Sequence, residues 1–114
     1  MDDDASMCDA IAELVEVLDF RSERFLSALR FLEELEPERF DCLVSDVRMP
    51  GMDGFELGRR ASAIAPGLPI IFVSSFDDEV TRSQAARVGA AAFLCKPVDA
   101  DALLENLNAA LDRG

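Results

Sequence analysis

Leu68-Pro69-Ile70-Ile71-Phe72-Val73 is apolar at every position and stops at the paired hydroxyls Ser74 and Ser75. A strand with water on one face alternates polar and apolar residues. One that does not alternate is covered on both faces, as in parallel sheets walled by helices. Residues 41–45 and 91–95 ("AAFLC") repeat this character in shorter form. Helical spacing predicts helices at 6–18, 27–36, 54–65, 77–88 and 99–112. In the first of these, Ser6-x-x-Asp9 resembles a capping box, and Ile11, Leu14, Val15 and Leu18 form one stripe. Gly89 is placed to close the fourth helix. In the fifth, Asp99 is placed to cap, and Leu104, Leu107 and Leu111 are read as facing inward. Residues 20–25 form a weaker strand candidate with a polar middle, Arg21-Ser22-Glu23-Arg24. Strands alternating with helices predict an α/β sandwich around a parallel sheet.

With 114 residues the chain reads as one domain, 1–114, without repeats, linker or output domain. Half of it is hydrophobic, yet no apolar run approaches the ~20 residues of a membrane span. Asp2-Asp3-Asp4 is the reverse of a basic leader, so a soluble cytoplasmic protein is expected. The net charge of −12 repels phosphate backbones and argues against nucleic-acid binding. Cys8, Cys42 and Cys95 are widely spaced and odd in number, as in a reducing compartment. There is no histidine, which removes Ser-His-Asp and Cys-His nucleophilic sites and most zinc sites. The chemistry open to this chain runs on carboxylates, hydroxyls and lysine.

In a parallel sheet, ligands bind beyond the carboxyl ends of the strands. Asp46, Ser74 and Lys96 each fall at such an end. A carboxylate, a hydroxyl and an ammonium on one rim suit phosphoryl transfer. Asp46 can attack phosphorus, while Lys96 and Ser74 meet the charge spread over the equatorial oxygens. A divalent cation would offset the repulsion between acid and phosphate, and Asp2 and Asp3 are the carboxylates available to join Asp46 around Mg2+. Each residue also has a plainer role open to it. Asp46 could cap the turn before Met49-Pro50, Asp2 to Asp4 could be a solvated acidic start, and Ser74 or Ser75 could satisfy backbone groups. Lys96 could be a surface lysine and Phe93 a core residue. Asp53 is read as serving the turn and the helix start rather than a metal.

"DDDAS" at 2–6, "CLVSDVRMPGMDGFEL" at 42–57, "PIIFVSS" at 69–75 and "FLCKP" at 93–97 together resemble the receiver domain of two-component response regulators. The pieces run in order over nearly the whole chain. The resemblance implies a flavodoxin-like sandwich with sheet order 2-1-3-4-5. It makes Asp46 the phosphoacceptor, Lys96 the phosphoryl-bonding cation and Ser74 the hydroxyl drawn in on activation. It places Mg2+ on Asp2, Asp3, Asp46 and the backbone carbonyl of Arg48, assigns Phe93 as the aromatic switch, and makes Lys96-Pro97 a cis bond. It implies a phosphorelay switch rather than an enzyme, with at most self-phosphorylation and autodephosphorylation. The implied partners are a sensor histidine kinase or histidine phosphotransfer protein, and a downstream protein docking on the face formed by 77–88, 91–95 and 99–112. It leaves a homodimer open.

One departure stands out. The family's first strand precedes the acidic pair, but here Asp2 follows Met1 directly. That strand is central in the 2-1-3-4-5 order, so its absence is expected to part strand 2 from the sheet and leave two unpaired edges. Three accounts compete: a start placed too late, which is favoured; a strand donated by a partner or second copy; and a degenerate domain that binds metal poorly. The rival functions follow from this. One is a pseudo-receiver acting as a phosphorylation-independent interaction module. The other is a magnesium-dependent phosphohydrolase, against which Arg48 stands where such enzymes commonly carry a second acid.

Overall fold

The computed structural model describes residues 1–49 and 51–111. Three parallel strands, β1 (Leu43–Asp46), β2 (Ile70–Ser74) and β3 (Ala92–Cys95), form one sheet in that order. Five helices surround it: α1 (Ala5–Val17), α2 (Ala28–Glu34), α3 (Gly54–Ile64), α4 (Glu79–Val88) and α5 (Ala100–Leu111). This is the α/β sandwich that the unbroken apolar strands require. Residue 50 of the turn and residue 112 of the last predicted helix lie outside the described residues.

The central strand β2 is buried at all five positions because helices cover both of its faces. Ile70 and Phe72 point into a cluster with Phe31 of α2, Leu35 just after it, Phe55, Leu57 and Ala61 of α3, and Ala85 of α4. Ile71 points the other way, to Val15 of α1 and Leu103 and Leu107 of α5. Strand periodicity divides the helices, with α2, α3 and α4 on one side and α1 and α5 on the other. Phe72 sits in the middle of this arrangement, fully buried and edge-on to Phe55 at 5.1 Å between ring centroids. Phe72→Ala should lower the unfolding free energy by about 3–5 kcal/mol, read as a reduced urea midpoint with the slope unchanged.

The cap chemistry is local and mostly legible. Ser27, Asp53 and Asp78 accept backbone N–H bonds at the starts of α2, α3 and α4, and Asp99 accepts from Ala102 N–H. Gly89 closes α4 with φ of 85°. Three expectations need correction. The α1 cap is Asp4, which accepts from Ser6 and Met7 N–H, not a Ser6-Asp9 box. The inward side of α5 is centred on Leu103, Leu107 and Ala110, while Leu104 and Leu111 are only partly covered. Residues 20–25 form no strand, because a strand exists only by pairing and no neighbouring strand runs beside them. Of that segment, Phe25 is buried, packed edge-on against Phe31 and Phe40.

The expected gap is present. Among the described residues β1 is an edge strand, and its open side faces the 20–25 segment rather than a strand. Met1 and Asp2 carry backbone hydrogen bonds from one to the other. Met1 nitrogen donates to Val44 O at 2.7 Å, Asp46 N–H donates to Met1 O at 2.9 Å, and Asp2 N–H donates to Phe25 O at 3.2 Å.

Candidate functional site

The rim at the carboxyl ends of the strands is assembled by register. Asp46 pairs with Val73, one residue short of Ser74, and Ser74 pairs with Cys95, one residue short of Lys96. Lys96 N–H donates to Ser74 O at 2.8 Å, which holds the start of the next loop against β2. The Lys96-Pro97 peptide bond is cis. Helix α3 abuts the same rim: Gly54 N–H donates to Val47 O at 2.8 Å, and a Cβ on Gly54 would lie 2.3 Å from the Asp46 carbonyl oxygen. Asp53 accepts Glu56 N–H at 2.9 Å and so caps α3, as expected.

Lys96 Nζ lies 3.0 Å from Asp2 Oδ2 and 3.1 Å from Asp46 Oδ1, with all three side chains largely covered. Burial works against the lysine's charge, but its bonds to Asp2 and Asp46 outweigh that and raise it above the ordinary lysine value. Asp46 moves up as well. Burial pushes its carboxyl above the usual range and, with repulsion from Asp2, outweighs the bond to Lys96. A simple ion pair would lower the acid. Here one ammonium is shared between two carboxylates, so Asp46 remains short of positive charge.

Carboxylate oxygens of Asp2, Asp3 and Asp46 lie within 4.8 Å of one another. Three hard oxygen donors at that separation, with Asp3 exposed and open to water, fit a small divalent cation. Burial also gives this corner a pH signature. The folded chain holds the Asp46 proton to higher pH than the unfolded chain does. That contribution to stability is complete below the ordinary aspartate value of 3.8 and lost as pH rises through the raised one. In EDTA, the thermal midpoint of wild type should therefore fall relative to Asp46→Asn as pH climbs from about 4. Parallel curves for the two proteins would contradict this.

The remaining expected residues sit nearby in different states. Ser74 is buried, and its Oγ accepts Phe76 N–H at 3.0 Å, so the hydroxyl is occupied by the local turn. Ser75 is exposed. Phe93 is half-buried under the Arg82 guanidinium, 4.9 Å from ring centre. The Arg48 side chain lies 3.9 Å over the exposed Phe76 ring, two residues beyond Asp46. Two participants escaped sequence reasoning. Met1 acts through its backbone, which carries no signal in residue type. Gly54 was legible in principle, since a glycine opening a helix without needing positive φ suggests close approach.

A family model described as response regulator receiver domain matches residues 1–108. The chain belongs to that family. Receivers of this kind work in two-component systems. The chain is 38% identical over 111 residues to the transcriptional regulatory protein FixJ of Bradyrhizobium diazoefficiens, covering 97% of this chain and 54% of the relative. It is 35% identical over 113 residues to the C4-dicarboxylate transport transcriptional regulatory protein DctD of Rhizobium meliloti, covering 99% and 25%. The chain thus spans about half or less of these curated relatives. Among solved structures, FixJ-N matches at TM-score 0.89 and 27% identity, over 100% of this chain and 91% of that one. A CheY-like receiver from Methanospirillum hungatei matches at 0.88 and 29%, over 98% and 90%. The receiver fold anticipated from the sequence is therefore established, with the three strands here forming its sheet. Among the described residues no helix is long and apolar enough to cross a membrane.

Proposed function

We propose that the chain works as a single receiver unit that takes a phosphoryl group on Asp46 from a phosphohistidine of a sensor kinase or phosphotransfer protein. The observation that carries this is the Asp46 carboxylate held 3.1 Å from Lys96 Nζ beside Asp2 and Asp3. Asp46 Oδ attacks phosphorus, the P–N bond to the donor imidazole breaks, and the imidazole nitrogen keeps the electron pair and takes a proton from solvent. Lys96 meets the charge on the equatorial oxygens and holds Asp46 in line. Mg2+ on Asp2, Asp3 and Asp46, with the Arg48 carbonyl as a further ligand, would neutralise phosphate and carboxylate charge. Ser74 then leaves its bond with Phe76 N–H for a phosphoryl oxygen. Phe93 turns in from beneath Arg82, altering the face of α4, β3 and α5 that a downstream protein reads.

Intact mass after incubation with Mg2+ and acetyl phosphate tests this, with Asp46→Asn in parallel and circular dichroism to establish folding. One added phosphoryl group in wild type and none in Asp46→Asn is the expected result. A folded wild type that gains nothing would sink it. That outcome would support the second reading, a phosphorylation-independent interaction module, which is favoured by one observation: among the described residues no strand pairs with the side of β1 that borders Asp2.

A further inference from the structure

Arg82, on the first turn of α4, reaches over β3 and back to the loop that follows β2. Its guanidinium sits 4.9 Å from the centre of the Phe93 ring and donates to Cys95 Sγ at 3.7 Å. Those two contacts come together because residues two apart on a strand share a face. The Arg82 Nε also bonds the Asp77 carboxylate, three residues beyond Ser74. That bond holds the Asp77 carboxyl below the ordinary aspartate range, so both partners are charged at neutral pH.

Helix formation does not call for this pair. The α4 cap is Asp78, which accepts Thr81 N–H at 2.7 Å, rather than Asp77. Nor does stability: Arg82 and Asp77 are both half-exposed, and an exposed ion pair contributes little by itself. The pair instead fixes a cation over an aromatic ring that is free to turn on one side. Phe93 is half-buried, packed against the core beside its register partner Phe72 and covered outside by Arg82. The Ser74 side is tied to the same pair. Ser74 Oγ accepts Phe76 N–H at 3.0 Å, and Asp77 is the next residue. When that hydroxyl leaves, the stretch carrying Asp77 loses a bond, and its hold on Arg82 loosens.

We propose that Arg82 is a positioning residue: bonded to Asp77, it latches Phe93 in its outward state and carries the coupling between Ser74 and Phe93. The latch opposes the inward turn of the ring, so a phosphoryl group at Asp46 must displace it. By reciprocity, opening the latch strengthens whatever binds at Asp46 through the inward state. That consequence at Asp46 rests on the phosphoryl-transfer reading, whereas the hold on Phe93 does not.

The test follows Phe93 by NMR in the 114-residue protein carrying isotope-labelled phenylalanine, its ring signals identified by their loss in Phe93→Leu. Asp77→Asn, Arg82→Gln and the double variant are compared with wild type, and beryllofluoride with Mg2+ serves as the phosphoryl mimic. Asp77→Asn is the decisive variant, since it leaves every Arg82 atom in place. In the free protein it should move the Phe93 signals toward the position they take in beryllofluoride-saturated wild type. The double variant should match Arg82→Gln, because either change opens the same latch. Half-saturation by beryllofluoride should fall about fivefold in all three variants. Salt at about 1 M, which confines charge interactions to ~3 Å, should shift wild type the same way and leave the double variant in place. Phe93 signals unmoved by Asp77→Asn, additive shifts in the double variant, a wild type indifferent to salt, or unchanged beryllofluoride affinity would each overturn the proposal. A wild type that binds no beryllofluoride overturns the phosphoryl reading instead. The latch is then judged on the free protein alone: Phe93 signals that move in Asp77→Asn, with a double variant matching Arg82→Gln, uphold it, and unmoved signals sink it.

Discussion

Gly54→Ala is expected to lower the thermal midpoint by about 10–20 °C, equivalent to roughly 3 kcal/mol in a domain of this size. The added Cβ would meet backbone only: the Asp46 carbonyl oxygen at 2.3 Å and Val47 Cα at 2.9 Å. Neither can swing away, so α3 must retreat from the end of β1 and stretch the Gly54 N–H bond to Val47 O. The same movement shifts Asp46, so phosphoryl incorporation should drop with stability. Gly58→Ala provides the contrast. Its Cβ would meet Val88 Cγ1 at 2.9 Å and Phe72 Cζ at 3.1 Å, side-chain rather than backbone atoms, of which the partly exposed Val88 is the one able to turn away. The smaller loss is expected there, with the phosphoryl site unaffected. Circular-dichroism melts of both variants decide it, and an equal loss in the two would contradict the backbone argument.

Lys96→Ala is the second large effect. It strips the shared ammonium from two largely covered carboxylates, Asp2 and Asp46, and leaves like charges facing each other. Removing one member of a buried charge group typically costs 3–5 kcal/mol, and about 3 kcal/mol is expected here because Asp3 keeps the corner open to water. Saturating Mg2+ should return part of that loss, since a cation on the same oxygens replaces the missing charge. Phosphoryl incorporation should fall by roughly 100-fold even in Mg2+, because the lysine also meets the transferring group. Urea unfolding with and without Mg2+, alongside intact-mass time courses, separates the two losses. A variant as stable as wild type in EDTA would contradict the shared-charge account.

The legible part of this molecule is the part decided by neighbours in sequence. The unbroken apolar run at 68–73, the caps Ser27, Asp53, Asp78 and Asp99, and the closing Gly89 each report local physics: burial on both faces, an orphan N–H, a left-handed turn. The rim residues Asp46, Ser74 and Lys96 were legible because strand ends in a parallel sheet share one edge whatever the detailed packing. Reading 20–25 as a strand failed because pairing is a property of two segments, and among the described residues no strand lies beside this one. Leu103 was passed over for Leu104 because the sequence shows which residues lie along a helix but not how the helix is rolled against the sheet.

The sequence by itself therefore determined the sandwich, its covered central strand and the acid-lysine-hydroxyl rim. Tertiary structure alone decided that one ammonium serves two carboxylates, that Gly54 lies against the Asp46 carbonyl, and that Met1 and Asp2 stitch β1 to Phe25. These depend on ångström-scale separations between residues as many as 94 positions apart. Residue type and local periodicity carry no such distances; they follow only when the helices pack both faces of the sheet and fix where each strand ends.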